Sequence, residues 1–452
     1  MSRYRIFGNS LTALITIDGI LKDKNNTIEW VFNKDRKMGG HFAGTKIFDR
    51  DLDFGMVALE IDEPVEQKKI YPDEPLPRGN EVNSYLRSIK NALITVGIVT
   101  DSLQIKTWFE NAEYQDFFIS NHLNLLKGRL TNEEKDFLRN NFENKNNDKI
   151  ITHPKNKNKG LNEHNLGSYL TEIYGKGFIS NFIISFGNKI SDKAPDKIAM
   201  IRHRSLWLPI YYPETIIEYL ESNCRNKSII RNFFTVKNST FAAQLIHLSE
   251  KLKSDSRIEV NNNITSINQA EIINVIMSKG SQNYINIYAD DELNVLAENY
   301  QNTEISNVFM VYIKTESTVE NKVIFDGDPD SIFYRLTSRE TMQDFGFNYI
   351  CLETKNDLTS LVENIEFNAD LGKYIESILG YSIRINGISI KAGKIKVFTK
   401  RFISEVQDKS KQSSKFFDDQ KIINLSTNAL NNSMNEQILL ALWYIEKMGS
   451  NN

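Results

Sequence analysis

Residues 4–20 read YRIFGNSLTALITIDGI. A short apolar run, Tyr4 to Phe7, ends in Gly8, and a second apolar stretch, Leu11 to Leu21, follows with Leu11, Leu14 and Ile15 at helical spacing. The first predicts a buried strand and the second a helix covering it, with the glycine at the turn. Thr27 to Phe32, TIEWVF, predicts a second strand, so the chain opens with a β-α-β unit. Gly8, Ser10 and Ala13 take the three positions of G-x-G-x-x-[G/A], a turn that aims the unpaired N–H groups of a helix N-terminus at a diphosphate. Ala13 is an accepted variant. Ser10 is a departure, because its Cβ and hydroxyl stand where the phosphate would approach, although the hydroxyl can itself donate a hydrogen bond. Taken alone, the turn reads equally well as ordinary strand-turn-helix packing.

The 452 residues suggest two interleaved domains, each long enough to bury a core. Fifty-five Lys and Arg against 58 Asp and Glu give a net charge of −3, which argues against nucleic acid or anionic membrane as a partner. Any anionic ligand must then be held by local charges. Cys224 and Cys351 form no C-x-x-C pair, so neither a disulfide framework nor a zinc site is expected. Beside His41, the other five histidines lack metal-ligand spacing, and no Ser-His-Asp arrangement or P-loop is visible. The first residues lack the apolar core of a signal peptide, and no run of about 18 apolar residues occurs. The expectation is a soluble, cytoplasmic protein with no integral membrane segment.

After Pro64 helical periodicity dominates to about residue 230, as in EVNSYLRSIKNALITVG and NEEKDFLRNNFEN, which suggests a helix-rich insertion. Residues 144–160, NKNNDKIITHPKNKNKG, read as a surface loop. From about residue 256 strands prevail: SRIEVNNNITSI, an expected hairpin in EIINVIMSKGSQNYINIYAD, and NVFMVYIKT. A strand in QKIINLST and a helix in SMNEQILLALWYIEKM close the chain.

Residues 33–44, NKDRKMGGHFAG, follow the second strand and carry a glycine pair that a plain dinucleotide fold does not need. This arrangement resembles the FAD-binding superfamily of flavin-dependent amine oxidases, phytoene desaturases and UDP-galactopyranose mutase-like proteins, to which the Rab GDP-dissociation inhibitors also belong. The resemblance implies an α/β fold: a Rossmann-like FAD-binding domain, discontinuous in sequence (1–63, 231–270 and 400–452), with a helix-rich insertion (64–230) and a mixed-sheet α+β substrate domain (271–399). It implies FAD as cofactor, with Gly8, Ser10 and Ala13 at the diphosphate, Asn33 where the superfamily has a ribose-binding acid, Arg36 in the basic stretch, and the Gly39-Gly40 backbone along the cofactor. His41 stands where many relatives have arginine, and reads either as a phosphate or flavin contact or as a structural histidine. Asp53 and Gly55 in FDRDLDFGMV match a D-x-G strand. The segment 233–267 resembles the turn, helix and strand on the adenine side, with Asn238 and Ser239 in place of glycines and Val260 beside the adenine. Residues 421–448 resemble the closing strand, turn and helix, with Thr427 and Asn428 in place of Gly-Asp. Ser433 and Glu436 form a capping box there, so that Asn428, Ser433 and Met434 would lie at the flavin, with the positive end of the helix toward its pyrimidine ring.

Two stretches are candidates for the substrate. In IAMIRHRSLWLPIYYPETIIEYLES, Arg202, Arg204 and Tyr211, near Trp207 and Tyr212, suit an anionic group and a sugar or base. In FDGDPDSIFYRLTS, similar to a segment on the active-site side of mutase-like members, Tyr334 and Arg335 are the candidates, while Asp328 and Asp330 read as turn residues around Pro329. No catalytic side chain and no metal site is identified. The expected function is that of an FAD-dependent oxidoreductase or mutase-like isomerase acting on a polar, anionic small molecule such as a sugar nucleotide, in glycan or metabolite biosynthesis. The alternative is a non-catalytic binding protein on the same scaffold, with flavin binding lost or weakened, as Ser10, Asn33, Thr427 and Asn428 suggest. An NAD-dependent dehydrogenase would leave Gly39-Gly40 unexplained.

Overall fold

The structure is a computed structural model that describes residues 2–62, 70–71, 85–114, 126, 128–143, 165–191, 193–199, 231–264, 267–278, 284–290, 304–397, 415–426 and 434–450. The strands are β1 (Arg3–Phe7), β2 (Thr27–Asn33), β3 (Thr45–Ile47), β4 (Arg50–Leu52), β5 (Leu59–Asp62), β6 (Thr100–Phe109), β7 (Ala112–Tyr114) and β8 (Arg231–Val236). They continue with β9 (Ile258–Ile264), β10 (Tyr284–Tyr288), β11 (Glu304–Thr315), β12 (Lys322–Asp326), β13 (Arg335–Arg339), β14 (Asn348–Thr354), β15 (Ile385–Val397) and β16 (Ile423–Asn424). The helices needed below are α1 (Leu11–Ile20), α2 (Leu86–Thr95), α3 (Asn132–Glu143), α4 (Leu166–Tyr174), α5 (Phe178–Ile190), α6 (Phe241–Lys253), α7 (Gln269–Ser278), α8 (Ile365–Leu379) and α9 (Met434–Ser450).

The fold is α/β and Rossmann-like. Five parallel strands form a sheet in the order β16-β10-β1-β2-β9, so chain order reverses between β1 and β10, where α/β sheets open a crevice at their carboxyl ends. Tyr4, Ile6, Ile28 and Trp30 face α1, α6 and α9, while Phe7, Val31, Ile264 and Tyr288 face α7 and Phe417. Helix α1 is buried at every residue except Asp18, in keeping with apolar residues on most sides of it. Gly19 lets α9 approach it: a Cβ there would lie 2.2 Å from Ile445 Cδ1.

The second sheet has nine strands in the order β15-β11-β14-β13-β12-β6-β8-β5, with β7 paired to β6, and all its pairs are antiparallel except β12 with β6. It is covered on both faces. Tyr312, Phe325 and Cys351 join α4 and α5 in one cluster, and Val311, Ile350 and Leu352 join Leu371, Ile375 and Ile378 of α8 in another. Among the described residues, no helix is long and apolar enough to cross a membrane.

Three expectations from the sequence are corrected. The segment EIINVIMSKGSQNYINIYAD is not a hairpin: it holds α7 and then β10, which pairs parallel with β1. Ile272, Val275 and Ile276 sit at helical spacing and pack against the small sheet, and the density of β-branched residues obscured that period. The boundary at 271 therefore cuts through the Rossmann-like domain. The segments 1–63, 64–230 and 231–270 also give β5, β6 and β8 to the large sheet, and the ten-residue β6 lies inside what reads as a helix-rich insertion. Helices α2 and α3 do form where their periodicity places them. The loop 144–160 lies outside the described residues.

At the centre of the small sheet, Arg5 and Glu29 are register partners, both fully buried, with Nε to Oε2 at 2.7 Å. Asn261 donates to the other Glu29 oxygen at 3.1 Å, and the guanidinium lies 4.2 Å from the Tyr284 ring centroid. Removing one member leaves an uncompensated buried charge, whereas an apolar pair of similar volume does not. Glu29→Ala is expected to lower the unfolding free energy by about 3–5 kcal/mol. The double variant Arg5→Met, Glu29→Met should lose much less, and urea unfolding monitored by circular dichroism compares the two.

Candidate functional site

The crevice between β1 and β10 is where the fold would hold a dinucleotide, and the chain's own groups meet there. Gly8 has φ +146°, and a Cβ on it would lie 2.2 Å from the Ala289 carbonyl oxygen. The glycine thus accommodates the backbone leaving β10. Ala289 N–H donates to Phe7 O at 2.8 Å, and the Ser10 hydroxyl donates to Ala289 O at 2.7 Å. Ser10 is also the N-cap of α1, its Oγ accepting from Ala13 N–H at 3.3 Å. Its hydroxyl therefore caps the helix and anchors the β10 exit.

The next residue along β10's exit is Asp290, whose side chain is fully buried. Its carboxylate accepts from Asn9 N–H at 3.0 Å, and Arg36 reaches both of its oxygens, at 2.9 and 3.0 Å. The Asn9 carboxamide spans the gap to the second strand. Nδ2 donates to Asn33 O at 3.0 Å and Arg36 O at 3.2 Å, while Oδ1 accepts from Asn33 N–H at 3.1 Å. Asn33, where the resemblance implies a ribose acceptor, instead uses Oδ1 to accept from Asp35 N–H at 2.9 Å, closing the turn after β2.

Gly39 and Gly40 have φ of +98° and +58° and begin a short 3-10 turn, with Gly39 N–H donating to Asn9 O at 2.7 Å. A Cβ on Gly39 would meet Leu245 of α6 at 2.5 Å. His41 projects to the surface, edge-on to Phe42. Ala13 is buried against the small sheet, and Met434 is buried at the start of α9. The Thr12 hydroxyl donates to Gln437 O at 3.2 Å, joining the first turns of α1 and α9. Val260 does not reach the crevice: it pairs with Trp30 in mid-strand and is 38% exposed, while Ile264 is the residue opposite Asn33 at the carboxyl end. Arg202, Arg204, Tyr211, Asn428 and Ser433 lie outside the described residues, as do Trp207, Tyr212 and Thr427.

Tyr334 and Arg335 are found on the large sheet, bound to Glu353. Arg335 Nε donates to Glu353 Oε1 at 2.7 Å and a second guanidinium nitrogen reaches Oε2, which also accepts from the Tyr334 hydroxyl at 3.0 Å. Burial, reinforced by the Glu353 charge, pushes the Tyr334 phenol well above its usual value. The arginine charge is thereby matched within the protein, and a Cβ on Gly55 would lie 3.0 Å from the same carboxylate. Asp53 is buried at the start of α6, accepting from Ala242 N–H at 2.9 Å, with Arg339 3.5 Å away. Burial raises its pKa, against the pull of Arg339. Among the described residues, no group of three or more His, Cys, Asp or Glu could hold a metal ion.

An FAD diphosphate can be tested directly against this arrangement. Residues 6–15 are buried, Asn33 and Gly39 are buried, and the N–H of Asn9 and Nη1 of Arg36 already hold a carboxylate. A phosphate brought to the same donors would stand beside Asp290, and two like unit charges about 4 Å apart repel by about 4 kcal/mol at an effective dielectric constant of about 20. The described residues, as they are placed, do not fit the diphosphate. Sequence reading overlooked Asn9, Asp290 and Glu353. For Asp290 a signal existed, an acid directly after the apolar run YINIYA, and the hairpin reading concealed it.

No protein-family model and no curated protein sequence matches the chain. Its fold is similar to that of solved structures. The crystal structure of reduced UDP-galactopyranose mutase matches with a TM-score of 0.59 and 13% identity, over 100% of this chain and 94% of that one. A protein from Exiguobacterium sp. 255-15, assigned as a protoporphyrinogen oxidase, matches with a TM-score of 0.50 and 11% identity, over 100% of this chain and 99% of that one. At such identities the likeness establishes the scaffold and carries no site residue across.

Because Arg335 neutralises Glu353, Arg335→Ala is expected to destabilise the fold by about 3–5 kcal/mol through the carboxylate left buried. Guanidinium unfolding of Arg335→Ala, with Glu353→Gln for comparison, checks this. An unchanged midpoint for Arg335→Ala would show that the pair carries no structural charge balance.

Proposed function

We propose that this chain is a binding protein on the scaffold of flavin-dependent enzymes, working without FAD. The observation that carries this reading is the Asp290 carboxylate, held by Asn9 N–H and Arg36 at the place where the fold would offer these groups to a diphosphate. Ser10 supports it, since its hydroxyl is committed to Ala289 and Ala13, and so does Asn33, whose side-chain oxygen closes its own turn. The ligand class is the one the sequence suggests: a polar, anionic small molecule. The cytoplasm is its proposed location.

A second reading has one specific observation in its favour. The whole chain follows the fold of a UDP-galactopyranose mutase, and Gly8, Gly39 and Gly40 keep the positive φ of the turns in question. On that reading the protein is an FAD-dependent oxidoreductase or mutase-like isomerase, acting on a substrate such as a sugar nucleotide. Its crevice would then have to part Asp290 from Arg36.

The absorption spectrum of the purified protein separates the two. Flavin-free protein, which also takes up no added FAD after gel filtration, is the expected result. Flavin bands, with FAD released on denaturation, would sink the first reading and establish the second.

A further inference from the structure

We propose that Asp290 is a built-in counter-anion, a carboxylate of the chain that replaces a ligand phosphate at the first β-α turn and so closes the crevice. This deepens the flavin-free reading and rests on it for its biological sense.

The position is the first ground. Asp290 follows β10 directly, and β10 is the neighbour of β1 on the side where strand order reverses, so its exit points over the N-terminus of α1. The partners are the second. The carboxylate takes one backbone N–H from the turn and the Nη1 of Arg36 across both of its oxygens, a charged donor and a backbone amide of the kind that also hold a phosphate, with its side chain fully buried. The third is the fit around it. Gly8 is required by the Ala289 carbonyl, Ser10 is bonded to that same carbonyl, and the Asn9 side chain bridges to the exit of β2. Three consecutive residues, Gly8, Asn9 and Ser10, thus serve a single closed arrangement. A crevice shaped around an external anion would have no use for a buried charge of the same sign at its centre.

The same feature makes an assignment about Arg36. It acts as the positioning residue for Asp290, its Nη1 bonded to both carboxylate oxygens.

The test uses the full-length protein, with FAD and inorganic pyrophosphate as probes, followed by fluorescence titration and by thermal unfolding. Asp290→Asn keeps the shape and an acceptor for Asn9 N–H but removes the charge. It is expected to melt at a lower temperature than the wild type, to regain that loss with pyrophosphate, and to bind FAD or pyrophosphate at least about tenfold more tightly. Ser10→Gly restores the glycine of the motif while leaving Asp290 in place, and should bind neither probe better than the wild type. If Asp290→Asn matches the wild type in both melting and binding, the proposal is overturned while the flavin-free reading stands. Uptake of FAD by Ser10→Gly alone also overturns it. Should the wild type bind FAD, with Asp290→Asn binding it more tightly still, the flavin-free reading falls and the counter-anion role is supported. If Asp290→Asn does not fold by itself, refolding with pyrophosphate present should recover the native near-ultraviolet circular dichroism, and no recovery would count against the proposal.

Discussion

A single buried carboxylate ties the carboxyl ends of three parallel strands together. Asp290 leaves β10, Asn9 leaves β1 and Arg36 follows β2, and the contacts among them fix how far apart those strand ends stand. Such a charge is costly to bury unless every lone pair finds a donor. That requirement explains why the neighbouring residues are arranged as they are: glycine where a carbonyl presses in, serine where that carbonyl needs a donor, and asparagine where two backbone carbonyls and an N–H converge. The crevice is polar, yet its polarity is directed inward.

The two sheets are joined by the same device. Arg339, buried on β13, donates to Val236 O at 3.1 Å and Ser239 O at 2.9 Å, in the turn that leads into α6, and stands near Asp53. The Asp53 carbonyl in turn accepts from the Tyr312 hydroxyl of β11 at 2.8 Å. Asp53 and Arg339 therefore brace the N-terminus of α6 against the large sheet, with the helix N–H groups stabilising the carboxylate. The D-x-G segment that resembles a strand of the superfamily does architectural service here, at the seam.

Much of the scaffold is legible in the sequence because it depends on periodicity. The β1-α1-β2 unit, α2, α3, β9, β11 and α9 all come from apolar spacing that a few residues define, and Gly8 and Gly39 announce turns that only glycine makes easily. Strand β6 is harder to see, since its alternation in TDSLQIKTWF lies amid helical stretches, and β10 was hidden by an apparent hairpin. The site resists reading for a different reason. Asn9 and Asp290 stand 281 residues apart, and nothing in either neighbourhood marks them as partners. Motif positions tell where a phosphate could be received. They do not tell whether a carboxylate from the same chain has arrived first.

The packing of α1 against α9 bears on the order of folding. The hydroxyl of Thr12 meets a carbonyl 425 residues later, and Ile445 fills the groove at Gly19. At roughly 5–20 residues per second, synthesis exposes this largely apolar helix long before its cover is made. Helix α1 thus precedes its cover by 425 residues, and its apolar surface stays exposed in the nascent chain until α9 docks.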